Sequence, residues 1–449
     1  MRSPLALRQP SPYHSAVTIP PENNNPPCSR EDALTVLRRL RNAGHVTYFA
    51  GGCVRDLLLG IEPKDYDIAT DAPPTRVREL FSRTQAVGAA FGVVLVRQGE
   101  SVVEVATFRS DGEYLDGRRP ATVRFTRAEE DAQRRDFTIN GLFLDPLTDS
   151  VVDFVGGQAD LGAKLLRAIG DPRGRFGEDH LRMLRAVRFA ARLGFEIESE
   201  TGEALRAEAP QLKRIMPERI ADELRKMLPP PTRDAAWNML WQYGLAAEIF
   251  RHLPGGGGVM VPRERSVFLN LPPGKAVAFP LALAAAAICY RRANDPAEDV
   301  RRFFAADDVK RTIRALRLGF RLSNKELDQV HGTLLGLGSV LNDPPPTLAI
   351  QKRFLAMETA LLSMELMHAL AKAGIQTQRV ATVQSLLHPL LDTEVAPPPL
   401  LGGDDLTAMG YQPGPMFKRV LTAVYDEQLE GRIGSRDEAM ELAKKLAST

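Results

Sequence analysis

Residues 48–70 read YFAGGCVRDLLLGIEPKDYDIAT, and the rest of the chain is organised around them. An apolar strand end (Tyr48–Ala50) runs into the Gly51-Gly52 turn, then a short helix, then a second strand on which we place Asp65 and Asp67. Residues two apart on a strand share a face, so the two carboxylates project together while Tyr66 and Ile68 turn into the core. Adjacent carboxylates repel unless a cation sits between them, and a hard oxygen site of this kind suits Mg²⁺. Gly51 and Gly52 let backbone amides approach an anion closely, and Arg55 one helical turn on adds charge. Asp-x-Asp and Gly-Gly are each common in plain turns. Their conjunction in one strand-helix-strand unit points to a metal-nucleotide site.

GGCVRDLLLG followed by KDYDIAT resembles the nucleotidyltransferase signature of the bacterial tRNA CCA-adding enzyme and poly(A) polymerase family. The resemblance implies an α+β chain: a small mixed-sheet head of the DNA polymerase beta-like nucleotidyltransferase type, then an elongated all-α neck, body and tail. The boundaries we expect are a disordered extension over 1–28, a catalytic head over 29–160, a nucleobase-selecting, RNA-binding neck over 161–228, a body over 229–330 and a tail over 331–449.

Composition is that of a soluble globular protein, with 44% hydrophobic and 25% charged residues. The formal charge is only +2, from 58 basic and 56 acidic residues, so a basic surface for nucleic acid must come from local arrangement. Cys28, Cys53 and Cys289 form no C-x-x-C pair, which argues against a zinc site or a disulfide framework and fits a reducing cytoplasm. Arg2 and Arg8 precede no continuous apolar run, so no secretory signal is expected. The longest apolar run, 276–290, holds Pro280 and falls short of the roughly twenty residues that span a bilayer; we expect a buried helix and no membrane.

Residues 1–28 are rich in Pro, Ser and Asn and lack apolar periodicity. Ser29 reads as the N-cap of an amphipathic helix that stops at Gly44. GVVLV and VVEVATF read as two strands. Glu104 is anomalous among Val103, Val105 and Ala106: it should face a metal or a base, or else a solvent-exposed strand edge. The resemblance makes it the candidate third carboxylate. RSDGEYLDGRRPATVRF, from 109 to 125, is glycine-rich and charged and reads as a mobile loop; a similar loop in CCA-adding enzymes is implicated in the switch from adding C to adding A.

In EEDAQRRDFTINGLFLDP, the charges of Arg134, Arg135 and Asp136 adjoin an apolar segment that also holds Asn140, and buried charges need partners. The segment matches the family's RRDF-T-x-N-A motif except for Gly141 in place of Ala. The resemblance gives Arg135 and Asp136 contacts to the nucleotide sugar, with Asn140 beside them. VVDFVGGQADL then closes the sheet, and beyond about Gly156 we expect helices and no strand.

Treated as one helix, GDPRGRFGEDHLRMLRAVRFAARLGF puts Glu178, Arg182 and Arg185 on one side with Asp179 beside them, and Met183, Leu184, Val187, Ala190 and Ala191 on the other. An arginine with a neighbouring carboxylate offers donors and an acceptor, as reading a base edge requires; a salt-bridged surface would look the same. By resemblance, Asp179 and Arg182 pair with ATP and CTP, and Arg185 and Arg188 bind phosphate or orient. His180 departs from the family's usual Pro. The Gly- and Pro-rich stretch from Pro254 to Pro273 reads as a linker, and GGDDLTAMGYQPGPMFKRV resembles the family's C-terminal element.

The implied reaction is template-independent addition of C and A from CTP and ATP to the 3′ end of tRNA, with Asp65 and Asp67 holding two Mg²⁺ ions. The alternatives are a poly(A) polymerase, a CC-only or A-only enzyme, and a non-catalytic RNA-binding protein on the same scaffold. Poly(A) polymerases typically carry GRRFRL where this chain has GAAFGVVLV.

Overall fold

The computed structural model describes residues 28–86, 92–112, 122–255, 260, 262–273, 278–294 and 299–448. The extension, apart from Cys28, and residues 113–121 of the charged loop lie outside the described residues. The chain forms two compact units, one ending at Ile249 and the other starting at Phe250.

The first unit opens with α1 (Arg30–Asn42), capped as the sequence predicts: the Asp32 amide donates to Ser29 Oγ at 3.1 Å. Ala33, Val36, Leu37 and Leu40 bury its apolar stripe. There follow β1 (Thr47–Ala50), α2 (Gly52–Leu58), β2 (Ile68–Thr70), α3 (Pro74–Leu80), β3 (Thr84–Ala86), β4 (Val93–Gln98) and β5 (Ser101–Thr107). The hairpin β6 (Arg109–Asp111) and β7 (Val123–Phe125) flanks the charged loop; then come α4 (Ala128–Gln133), a 3-10 turn (Thr138–Asn140), β8 (Phe143–Asp145) and β9 (Ser150–Val152). The main sheet has the order β3-β4-β5-β2-β1-β8-β9. It is mixed: β2 runs parallel to β5, and β1 antiparallel to both β2 and β8. Period-two alternation sends Val103 and Val105 of β5 inward and leaves Glu104 accessible.

Asp65 and Asp67 do not sit within a strand, as their alternation with apolar residues suggested. β2 begins at Ile68, and the carboxylates lie on the segment entering it. The Ala50 amide still donates to the Asp67 carbonyl at 3.0 Å, adding one rung below the ladder, and Tyr66 and Ile68 are buried as expected.

The helical remainder of the unit comprises α5 (Gly157–Ala163), α6 (Pro172–Glu178), α7 (Leu181–Leu193), α8 (Ser199–Glu208), α9 (Pro217–Met227), α10 (Arg233–Gln242) and α11 (Leu245–Ile249). Two strands break the expected run of helices. β10 (Leu165–Leu166) and β11 (Glu196–Ile197) pair in parallel, too short to show a pattern in sequence. The stretch plotted on one helical wheel, 170–195, forms two helices, with the second starting after His180, because Asp179 adopts φ −145° and ψ 104°.

The second unit holds α12 (Phe279–Asn294), α13 (Ala306–Phe320), α14 (Asn324–Leu341), α15 (Leu348–Leu355), α16 (Ala360–Lys372), α17 (Thr377–Leu387), α18 (Gly403–Ala408), α19 (Pro415–Leu429) and α20 (Arg436–Ala447). The long apolar run is the buried α12, with Leu281 through Ala286 fully enclosed. Among the described residues, no single helix is long and apolar enough to cross a membrane. The stretch read as a linker is partly core: Val267 and Phe268 are fully buried, and the Phe268 amide donates to Cys289 Sγ at 3.2 Å. Its glycines and prolines masked that apolar pair. The C-terminal element packs around Leu401, Leu406, Val420, Val424, Ala439 and Ala443.

Candidate active site

A cavity of about 510 Å³ opens in the first unit, lined by the glycine turn, the mouth of β2, the middle of β5 and one side of α7. It brings together Gly51, Gly52, Arg55, Asp67, Glu104, Arg135, Asp136, Asn140, Asp179, Arg182 and Arg185. These residues come from positions up to 134 apart in sequence. Asp65 and Arg188 are not among the lining residues.

The turn geometry requires glycine at one position. Gly51 has φ +72°, and a Cβ there would lie 2.9 Å from Arg135 Nη1. Its amide donates to the Leu142 carbonyl at 3.0 Å, which fastens the turn to β8. At Gly52 a Cβ would meet only Arg55 Nη2, at 3.7 Å.

Behind the turn, charges hold one another. Arg55 pairs with Asp56 at 2.6 Å and donates from Nη1 to Asn140 Oδ1 at 2.7 Å. Asn140 Nδ2 donates to Asp136 Oδ1 at 3.1 Å, and Arg185 donates from Nη2 and Nε to Asp136 Oδ2 at 2.6 and 2.9 Å. Burial opposes ionisation of Asp136, but Arg185, the hydrogen bonds from Asn140 and Arg185, and the charge of Arg182 outweigh it and hold the carboxyl well below the usual range. Asp131 does the same for its neighbours, accepting from Arg134 at 2.7 Å and Arg135 at 2.9 Å. Gly141, where the family motif has Ala, has no room for a methyl group: a Cβ would stand 2.7 Å from Val155 Cγ2.

Glu104 points into the cavity. Burial raises its carboxyl pKa, Arg135 lowers it, Asp65 raises it further and Arg109 lowers it, with a net upward shift. Asp65 is thus close enough for its charge to be felt at Glu104 although it does not line the cavity.

The break at Asp179 serves the site. Asp179 Oδ1 accepts the Leu181 amide at 3.0 Å, capping α7 in place of His180, whose side chain makes no cap bond. Arg219 of α9 grips the same carboxylate through Nη2 at 2.9 Å and Nη1 at 3.3 Å. Arg182 pairs with Glu178 across the break and donates to the Arg175 carbonyl at 3.0 Å. The expected Glu178–Arg182 neighbours therefore meet, though not on a continuous helix. Arg188 turns away to Glu223 of α9, Nε to Oε2 at 2.6 Å, with both side chains buried.

Sequence reading missed Arg109, Arg134, Phe189 and Arg219 as lining residues. Arg134 stood in the quoted motif, whereas Arg219 lies 40 residues from its partner Asp179 and carried no local signal.

Comparison with known proteins gives the family. Residues 47–167 match the family described as Poly A polymerase head domain, and 194–255 match Probable RNA and SrmB- binding site of polymerase A. The chain is 33% identical over 418 residues to the CCA-adding enzyme of Limosilactobacillus fermentum, covering 91% of this chain and 95% of that one. The chain belongs to the CCA-adding enzyme family. Identity to the CCA-adding enzyme of Streptococcus suis rises to 47% over 206 residues, 46% of this chain and 51% of that relative. The crystal structure of the Bacillus stearothermophilus CCA-adding enzyme in complex with CTP superposes with a TM-score of 0.64 at 28% identity, covering 92% of this chain and 97% of that one. The two-part family match thus covers both the sheet and the helices that follow it.

Proposed function

We propose that this chain adds C and A residues from CTP and ATP to the 3′ end of tRNA without a template. The observation that carries the reading is the cavity, in a CCA-adding family chain, that sets carboxylates, a glycine turn and the Asp179/Arg182 elements around one space. The RNA 3′-hydroxyl gives up its proton to water, its oxygen forms a bond to the α-phosphorus, the bond from that phosphorus to the bridging oxygen breaks, and pyrophosphate leaves with the electron pair.

A hard divalent cation fits the donor set. Asp67 and Glu104 line the cavity, and the pKa of Glu104 is raised by burial and by the charge of Asp65, a crowding of negative charge that a cation would relieve. Among the described residues no group of three or more His, Cys, Asp or Glu is placed to cage an ion. Mg²⁺ commonly takes one or two protein carboxylates and completes its shell with water and phosphate. Asp65 and Asp67 would hold it, with Glu104 beside them, and it would supply acidification of the attacking hydroxyl and neutralisation of the departing pyrophosphate.

The protein's own groups do the rest. The Gly52 amide and Arg55 receive the phosphates, Gly51 shapes the turn that lets them approach while its own amide is held by Leu142, and Arg135 and Asp136 with Asn140 face the sugar. Asp179 and Arg182 read the base edge, one as acceptor and the other as donor. Both are already engaged, to Arg219 and Glu178, so an incoming base is read by side chains whose directions are set beforehand. We place the head over 29–160, the neck over 161–228, the body over 229–330 and the tail over 331–449, with RNA lying along the helices.

The test supplies labelled CTP and ATP, separately and together with Mg²⁺, to tRNA transcripts ending before CCA, after C and after CC. Addition that stops at CCA is expected; long A tails on any RNA would sink the reading. In Arg182→Ala, discrimination of CTP and ATP against GTP and UTP should collapse while metal dependence persists. Intact discrimination would remove Arg182 from base selection.

A further inference from the structure

We infer that Phe189 is a positioning residue of the nucleotide site, its ring fixing the guanidinium groups of Arg55 and Arg185 at the cavity wall. The inference rests on the nucleotide reading above and adds a residue to it.

Phe189 lies on α7, is 3% exposed and lines the cavity. Three guanidinium carbons surround its ring: Arg188 at 4.2 Å from the centroid, Arg55 at 5.2 Å and Arg185 at 5.2 Å. Phe137 meets the same ring edge-on at 5.9 Å. Three cations around one apolar group repel one another, and each is neutralised separately: Arg55 by Asp56, Arg185 by Asp136 and Arg188 by Glu223, each at 2.6 Å. Three ion pairs therefore radiate from one ring.

The arrangement also closes on itself. From the ring, Arg55 leads to Asn140, Asn140 to Asp136, Asp136 to Arg185, and Arg185 back to the ring. This circuit joins α2, which follows the glycine turn, to α7, which follows the base-reading break. Asp56 and Asn140 hold the Arg55 guanidinium by its edges, and Asp136 holds that of Arg185 through Nε and Nη2. The negative face of the buried ring adds a hold on each guanidinium from another direction. An aliphatic side chain would fill most of that volume and supply no such hold.

The experiment keeps ring shape and varies its charge distribution. Phenylalanine at 189 is replaced in the full chain by 4-fluoro-, 3,5-difluoro- and 3,4,5-trifluorophenylalanine, with Phe189→Leu as the limit. Calorimetry then gives Kd for CTP and for ATP in Mg²⁺, alongside each Tm. Kd should rise stepwise with fluorination and reach about tenfold in Phe189→Leu, equally for CTP and ATP, because base choice lies with Asp179 and Arg182. The fluorinated proteins should keep the wild-type Tm, so a graded Kd is not a folding effect. A flat Kd across the fluorinated series, with wild type binding both nucleotides, overturns the role of Phe189 alone. Wild type that binds neither nucleotide overturns the functional reading and this inference together.

Discussion

Among the described residues, the first unit buries Arg55, Asp56, Asp131, Asp136, Asp160, Arg182, Arg188, Glu223 and Arg233, whereas in the second unit Asp308 is the one Asp, Glu, Lys or Arg side chain in the same class. The second unit's core is instead Leu, Val, Ala and Phe from α12, α14 and α16. Burying a charge costs several kcal/mol, roughly recovered only when partners and hydrogen bonds are complete. A fold meets that cost where chemistry requires fixed charges, so the location of the buried ions is itself a statement about function. Of these, Arg55, Asp136 and Arg182 line the cavity, and Asp56 and Asp131 pair with arginines that line it.

The sharpest way to break this comparison is to remove charge from the cavity itself. Asp67→Asn keeps the shape and removes a carboxylate that lines it. A charge acting on the transition state is worth several kcal/mol, so incorporation of labelled CTP should fall by about a thousandfold. Tm should not drop, because Asp67 is accessible rather than packed. A variant that stays active would remove Asp67 from the chemistry.

Next comes a contrast between the two kinds of core. Arg188→Ala strands the buried Glu223 carboxylate and should cost about 3–5 kcal/mol in a denaturant titration. Leu337→Ala, in the fully buried face of α14, should cost about 2–5 kcal/mol by leaving a cavity. The losses are similar and the remedies differ. Adding Glu223→Met to Arg188→Met removes both charges and should recover most of the stability, since a buried pair is often replaceable by apolar groups of similar volume. A double variant no better than Arg188→Ala would show that the Arg188–Glu223 geometry contributes more than mutual neutralisation.

How much of this was legible in sequence follows from the same contrast. The Gly51 turn, Asp67, Arg135, Asp136 and Asn140 lie in short contiguous motifs, so local spacing and family resemblance pointed to them. Arg219 could not be seen, because its partner Asp179 was brought to it by the packing of α9 on α7. The break at Asp179 was hidden because the charge pattern of Glu178, Arg182 and Arg185 mimics one helix face. In the second unit, helical periodicity was readable, but nothing distinguished the packed Val267-Phe268 segment from the glycines and prolines around it.

The smallest effect concerns acid. The folded pKa of Asp136 is depressed by Arg185, Asn140 and Arg182 against the opposing effect of burial. A depressed folded pKa means that the ionised carboxylate contributes stability at every pH above its unfolded value, about 3.9. That contribution shrinks as pH falls below this value and is lost only once the folded pKa is passed. Asp136→Asn is nearly isosteric but cannot neutralise Arg185, so the stability gap between wild type and variant should be constant from pH 7 to 5. It should narrow only below about pH 4. Denaturant titrations at pH 7, 5, 4 and 3 measure it. A gap unchanged down to pH 3 would mean that Asp136 titrates in the folded chain like an ordinary carboxylate, and the circuit through Asn140 and Arg185 would then hold Arg55 by packing rather than by charge.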